Sequence, residues 1–456
     1  MAFPCAVLLL VFWFVRPQDI LPSLEGLNVV RYLMFFGIWV TVSRPGGLKA
    51  GHFVRTPVDF MMMGYLSWIV YTTPDHMDAF KEVFTYLAFY VVTVLALDSE
   101  VRIKKYITYW ALCLLTVSLL SLSSQAGVEI VAGSNSLTTA FAGRLALNTW
   151  IFNNPNALGH ATVALIPLAI AWYGMHKPTN NRMVMVGLIM AGGYCVLLTQ
   201  SKGAYISGAV SLSALFLFRR PVWVQVVVVQ VLLSTGLGVL TYLPRMETLS
   251  SKDQGIMGRM MVWQSAMWNL KDYPHGVGLK KFHGMIDVPE LGEVEIATHG
   301  SYVRTGADLG YPGLFFYAGL FFFSYLTLRR RSFPRSSESF RVQGALAVLM
   351  ASYAFSAWVV DLAYHADFIL LMALFSAYHR VIVAPLEKVE FANPAQVAAS
   401  GEAAEVKASD EPPKPTDTGL VAGWGRPAIY ELLIIVGLVW LIVYAWDYQS
   451  TKFLPF

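Results

Sequence analysis

A chain of 456 residues with 56% hydrophobic and only 14% charged residues, at a mean hydropathy of +0.53, is too apolar for a soluble globular protein and reads as a polytopic membrane protein. Lipid offers no partner to a bare backbone N–H or C=O, so the apolar runs that recur along the chain must be helices, and the fold class is all-α. The formal charge of +4 says little as a total. Cys5, Cys113 and Cys195 lie in or beside apolar runs with no pair at ligand spacing, so neither disulfides nor zinc are indicated.

Hydropathy places candidate spans at 4–15, 30–43, 58–72, 83–97, 106–122, 157–174, 183–199, 203–218, 222–243, 311–328, 342–360, 366–384 and 429–446. That is about twelve helices in a core, 1–384, and one appended beyond it. The first run, Val7 to Val15, has no basic flank or small-residue cleavage motif, so it is expected to stay as a helix rather than be removed as a signal peptide. Between the ninth and tenth spans, the stretch from Thr241 to Tyr311 is a long polar interruption, and 244–310 is expected to be a large loop with short helices that carries the chemistry. Residues 385–427, with GEAAEVKASDEPPKPTDTG, lack a periodic apolar face and read as a disordered linker. Residues 428–456 hold the last helix, Tyr430 to Trp446, with aromatics at both ends. No internal repeat is seen, which disfavours an inverted-repeat transporter.

Basic residues concentrate on the cytoplasmic side of membrane proteins. With the N-terminus inside, alternate loops carry Arg44, Lys49 and Arg55, then Arg102, Lys104 and Lys105, then Lys177 and Arg182, then Arg219 and Arg220, and last Arg329, Arg330, Arg331, Arg335 and Arg341. The 244–310 loop and the linker then face outside and inside respectively. Arg16, Arg31, Lys81, Arg144 and Lys202 fall on the outer side against the bias. Snorkelling to headgroups is one explanation, and binding an anion at the outer leaflet is the other.

Four outer segments carry polar chemistry. In 143–160, GRLALNTWIFNNPNALGH, Asn156 stands at a helix start, either as a cap or at an anion-binding terminus. The tight turn LTQSKGAYI sets Lys202 at headgroup depth beside Ser201 and the Gly203 backbone, either as a snorkelling lysine or as a point charge for phosphate. In 258–270, Met260, Trp263, Met267 and Leu270 form a helical stripe suited to the membrane surface. Arg259 is expected at the start of that helix, where the positive dipole end makes a guanidinium unfavourable without an anion. In 298–313, THGSYVRTGADLGYPG, His299 is either a polar loop residue or a general base near neutral pH. No His-Glu-x-x-His, Cys-x-x-Cys, Gly-x-Ser-x-Gly or phosphate-loop pattern is present, nor an Asp-x-Asp pair in the outer loops. A pyrophosphate handled here would be neutralised by arginine and lysine.

The order of these motifs resembles the O-antigen ligase family of lipopolysaccharide ligases and related polysaccharide polymerases. The likeness lies in Gly143-Arg144 and Pro155-Asn156, the Ser201-Lys202-Gly203 turn, Gly258-Arg259 with Trp263, and Pro274, Gly276 and Gly278. It continues through His299, Ser301, Tyr302, Gly310 and Gly313, covering roughly residues 140–330. Lys202 stands where the family usually has arginine, and Gly300 where it usually has asparagine. The resemblance implies a metal-independent, inverting membrane glycosyltransferase of the bacterial inner membrane. It would use an undecaprenyl pyrophosphate-linked glycan as donor and a lipid or glycan as acceptor, at the periplasmic face among membrane lipids, without cofactor or nucleic acid. Arg259 and Lys202 would bind the pyrophosphate and His299 would activate or orient the acceptor hydroxyl. Arg144, Asn156, Ser201, Arg304 and Tyr302 would contact substrate. A polymerase that joins lipid-linked repeat units shares all of this donor handling. A transporter or flippase of an anionic solute or lipid predicts charges at mid-membrane instead, and a scaffold subunit would use the last helix for docking.

Overall fold

The computed structural model describes residues 2–24, 26–43, 54–175, 178–221, 223–224, 227, 254–288, 292–331, 333–385 and 426–452. Nearly all of the span expected at 222–243 and of the linker expected at 385–427 lies outside these residues.

The fold is all-α. Helices α1 (Ala2–Phe14), α2 (Val29–Val42), α3 (Pro57–Thr72), α4 (His76–Ala96), α5 (Glu100–Gln125) and α6 (Ser134–Ala140) come first. Next are α7 (Pro155–Val163), α8 (Leu165–Met175), α9 (Pro178–Thr199), α10 (Lys202–Leu217) and α11 (Gln254–Asp272), then α12 (Ser301–Arg330), α13 (Glu338–Val359), α14 (Ala366–Tyr378) and α15 (Ile429–Lys452). Among the described residues eight helices, counting α7 with α8 as one, are long and apolar enough to cross a membrane. Each described candidate span contains a helix.

Polar residues between the apolar runs start the helices. Thr56 accepts the Asp59 N–H at 3.2 Å and Asp59 accepts the Thr56 N–H at 2.7 Å, a capping box with Pro57 at the first helical position. Asp75 caps α4 by accepting the Asp78 N–H and Ser337 caps α13 by accepting the Phe340 N–H, each at 3.1 Å. The long loop departs from the expectation of helices alone, because Met285–Val288 (β1) pairs antiparallel with Gly292–Glu295 (β2), Met285 opposite Glu295.

α12 is central. It packs on α3, α11, α13 and α15, while α13 also packs on α8 and α10. Lipid is as apolar as the side chains, so such a bundle is held by close packing and polar pairs rather than by the hydrophobic effect. The α3–α12 contact shows this: a Cβ on Gly64 would lie 2.3 Å from the Phe316 ring, and one on Gly319 2.7 Å from the Met61 sulfur.

Of the basic loops grouped by the charge bias, those at 102–105, 219–220 and 329–331 meet at one end of the bundle. Arg219 donates to the carbonyls of Leu328 at 3.1 Å and Arg329 at 3.2 Å, and to that of Arg331. Lys104 pairs with Glu338 at 2.8 Å. The buried Asp59 accepts from Tyr90 at 2.7 Å, Ser376 at 2.5 Å and Arg380 at 2.7 Å. The polar segments of the site occupy the opposite end.

Candidate functional site

The site end is built on a break in α12. Gly310 has φ 67° and ψ −165°, a conformation open to glycine alone. The proline–glycine turn after α11 fits into that break. The Asp308 carbonyl accepts the N–H groups of Val277 at 2.8 Å and Gly278 at 2.7 Å, and Tyr311 donates to the Pro274 carbonyl at 2.9 Å. A Cβ at Gly276 would sit 2.4 Å from the Asp308 oxygen, and one at Gly310 2.2 Å from that of Pro274. Glycine at both positions therefore lets two backbones interlock.

Asp308 locks the joint from within. Its fully buried carboxylate accepts from the N–H groups of Lys280 at 3.1 Å and Phe282 at 2.8 Å, the Tyr364 hydroxyl at 3.0 Å and Arg304 Nε at 2.7 Å. Arg304, expected as a substrate contact, is thus the charge partner of a structural aspartate one helical turn away. Tyr302, expected in the same role, donates its hydroxyl to the Ala354 carbonyl at 3.1 Å, and its ring packs on Trp358 at 4.9 Å and Tyr317 at 5.5 Å. Beside Tyr302 an apolar cavity of about 400 Å³ opens between α12, α13 and α15, lined by Phe321, Phe322, Met350, Ile434 and Ile442 among others.

His299 occupies the corner before α12 with φ 48°, the left-handed region that non-glycine residues adopt only when their surroundings impose it. Those surroundings are identifiable. Trp263 Nε1 donates to the Thr298 carbonyl at 2.7 Å. On the other side, Ser301 Oγ donates to the Val360 carbonyl at 2.9 Å and accepts the Leu362 N–H at 2.7 Å. Among the described residues no hydrogen-bond partner reaches the His299 ring. Burial, with the Arg259 charge adding to it, pushes its pKa down to about 4, so the imidazole is neutral at physiological pH.

Gly300 fits this packing. Its backbone is extended, and a Cβ would lie 3.1 Å from the Trp358 carbonyl and 3.3 Å from the Trp263 ring. Gly300→Asn is therefore expected to lower stability by about 1–3 kcal/mol, with no gain in activity. A thermal unfolding midpoint equal to or above that of the parent would contradict this.

Arg259 lies in the second turn of α11, because the helix begins at Gln254. The expectation that it sits at the positive helix end is corrected, since dipole effects fade within the first turn. The stripe is corrected too: Met260, Trp263, Met267 and Leu270 are buried against α12 and α15 rather than laid on the membrane surface. Arg259 itself is half-buried, and its charge acts on both His299 and His160.

The remaining residues come from α7 and the α9–α10 turn. Asn154, not Asn156, caps α7 by accepting the Asn156 N–H at 2.8 Å. The Asn156 side chain instead accepts from Arg144 at 2.7 Å, and Arg144 Nε donates to the Thr199 carbonyl at 3.0 Å. Gln200 turns the chain with φ 48°, and Ser201 caps α10 by accepting the Ala204 N–H at 3.3 Å. Lys202 is then the first residue of α10. Arg16 and Lys81, expected on the outer side, have local carboxylate partners, Asp19 at 3.0 Å and Asp78 at 2.7 Å.

His160, a residue with no expected role, ties this turn to the rest. A Cβ on Gly203 would lie 2.8 Å from its Nε2; its Nδ1 meets Ser356 Oγ at 2.8 Å, and Ser356 meets Ser207 at 2.9 Å. Lys202 and Gly203, His160, Arg259 and His299 thus form one neighbourhood, joined to the Arg144–Asn156 pair through Thr199. Arg304 and Tyr302 follow on the first turn of α12, paired with Asp308 and the Ala354 carbonyl. Asp308 was also missed, although an aspartate four residues after an arginine in an otherwise apolar helix is a legible signal of a buried pair. Among the described residues no group of three or more His, Cys, Asp or Glu is placed to hold a metal ion.

No curated protein is found to match the chain. Residues 185–318, which include Lys202, Arg259 and His299, match the family model described as O-antigen ligase.

Proposed function

We propose that the protein transfers a glycan from undecaprenyl pyrophosphate to an acceptor hydroxyl at the periplasmic face of the bacterial inner membrane, with the N-terminus in the cytoplasm. The family match supports glycan transfer of the ligase or polymerase kind. The observation that carries the finer reading is the gathering of the Lys202 turn, Arg259 and His299 at the bundle end opposite the basic loops. A cation on the Lys202 turn and the Arg259 charge near an uncharged imidazole are suited to a leaving group that gains negative charge as it departs.

In this reading Arg259 and Lys202 hold the pyrophosphate, and the hydrocarbon chain of the donor runs into the apolar cavity beside Tyr302. The acceptor oxygen attacks the anomeric carbon from the face opposite the phosphate. As the new C–O bond forms, the bond to the phosphate oxygen breaks, undecaprenyl pyrophosphate leaves with the electron pair, and the hydroxyl proton passes to His299. The configuration inverts. A neutral His299 can accept that proton, and the incoming pyrophosphate raises its basicity by offsetting the Arg259 charge.

Purified protein incubated with a lipid-linked glycan and a candidate acceptor tests the reading. A single transfer with release of polyprenyl pyrophosphate is expected of a ligase, and a ladder of lengthening lipid-linked chains of a polymerase. Release of neither product from a competent donor would contradict the assignment.

A further inference from the structure

The C-terminal helix lies outside the segment that matches the family, and the sequence presents it as an appendage. In the structure it packs on α11 and α12. Its strongest attachment is at the end nearest the site, where Trp446 is fully buried and its Nε1 donates to the Trp263 carbonyl at 2.8 Å. The Trp446 ring fills the space over Gly306, where a Cβ would meet it at 2.8 Å. Asp447 pairs with Lys271 of α11 at 3.5 Å. Trp263 in turn donates from its indole to the Thr298 carbonyl and packs, tilted, on Trp358 with ring centroids 6.1 Å apart. One run of contacts therefore leads from α15 through Trp263 to the residue before His299, whose backbone is held at a positive φ.

We propose that α15 is a positioning element of the transfer site and that it acts through Trp446, which braces Trp263 and so fixes the His299 corner and the Arg259 helix in register. The role in transfer rests on the glycan-transfer reading above, whereas the bracing itself does not. An imposed backbone conformation persists only while its surroundings over-determine it, and a small displacement of a catalytic group is enough to slow a reaction severely. Loss of the Trp446 N–H leaves the packing in place but frees Trp263 to shift.

Trp446→Phe in the full chain keeps an aromatic ring and removes the donor. Relative to the parent it is expected to slow kcat for transfer about tenfold with the donor KM little changed. It is also expected to speed amide hydrogen exchange at residues 298–300, with the folded yield preserved. In a Trp263→Phe background, where the indole bond to Thr298 is already gone, Trp446→Phe is expected to add little, because both act on one corner. An unchanged exchange rate at 298–300 overturns the proposal, and so does an undiminished Trp446→Phe effect in the Trp263→Phe background. His299→Ala serves as the control. If that variant still transfers glycan, the reading of the site fails while the exchange data continue to judge the brace; if it is inactive and Trp446→Phe matches the parent in rate, the positioning role fails alone.

Discussion

His299→Ala is expected to lower the rate of glycan transfer by roughly 10²- to 10⁴-fold, the usual contribution of a positioned general base, while the protein folds and inserts normally. The reason is local. No described residue hydrogen-bonds to the ring, so its removal orphans no described partner, and the corner is held by Thr298 and Ser301 rather than by the imidazole. The pH dependence follows from the direction of the shift. In the free enzyme His299 is held down to about 4 by burial and by Arg259, so kcat/KM is expected to stay level on the acid side until the pH approaches that value. In the donor complex the pyrophosphate charge opposes Arg259, so the acid limb of kcat is expected at higher pH than that of kcat/KM. Stability obeys the same shift. The unfolded chain, with histidine near 6.5, binds more protons than the folded one between that pH and about 4, so this group's contribution favours folding increasingly as pH rises through the window. A transfer rate in His299→Ala within a few-fold of the parent would remove His299 from the mechanism.

Asp308→Ala is expected to cost about 3–5 kcal/mol of stability, because it breaks a buried ion pair from one side and leaves the Arg304 charge without its carboxylate. It also strands the Lys280 and Phe282 N–H groups and the Tyr364 hydroxyl, all of which donate to that carboxylate. Asp308→Asn keeps an acceptor and is expected to lose less. Thermal midpoints of the purified variants in one detergent check both statements. An unchanged midpoint for the alanine variant would show that the kink and the proline–glycine turn stay joined without the aspartate.

The bundle was legible because the dominant signal, hydropathy, is the one that lipid reads. Where the described apolar runs lie, helices lie. The charge bias was also legible, since loops with arginine or lysine at 102–105, 219–220 and 329–331 do gather at one end of the structure. Finer positions were less legible because neighbouring residues of one type compete for one role. Asn154 and Asn156 both suit a cap, and only the path of the chain decides that Asn154 takes it and frees Asn156 for Arg144. The stripe on α11 has the same period whether it faces lipid headgroups or protein; α15, more than 150 residues away in the chain, supplies the partner that buries it. Long-range partners are likewise why Asp308 had no role and its pairing with Arg304 was not foreseen: the turn at 274–282 that surrounds Asp308 is fixed by tertiary packing. Ser201 and Lys202 needed only local information, and the expected tight turn is found there.

The central claim is that one end of the bundle holds a lipid-linked pyrophosphate between the Lys202 turn, Arg259 and His299. The most direct test is a cryo-EM structure of the full chain in lipid nanodiscs with a polyprenyl-pyrophosphate-linked oligosaccharide bound. The pyrophosphate oxygens are expected within about 3 Å of the Arg259 guanidinium and the Lys202 ammonium, the anomeric carbon is expected to face His299, and the hydrocarbon is expected to enter the cavity beside Tyr302. Pyrophosphate bound instead at the opposite end, among Arg219, Arg329 and Arg380, would contradict the account.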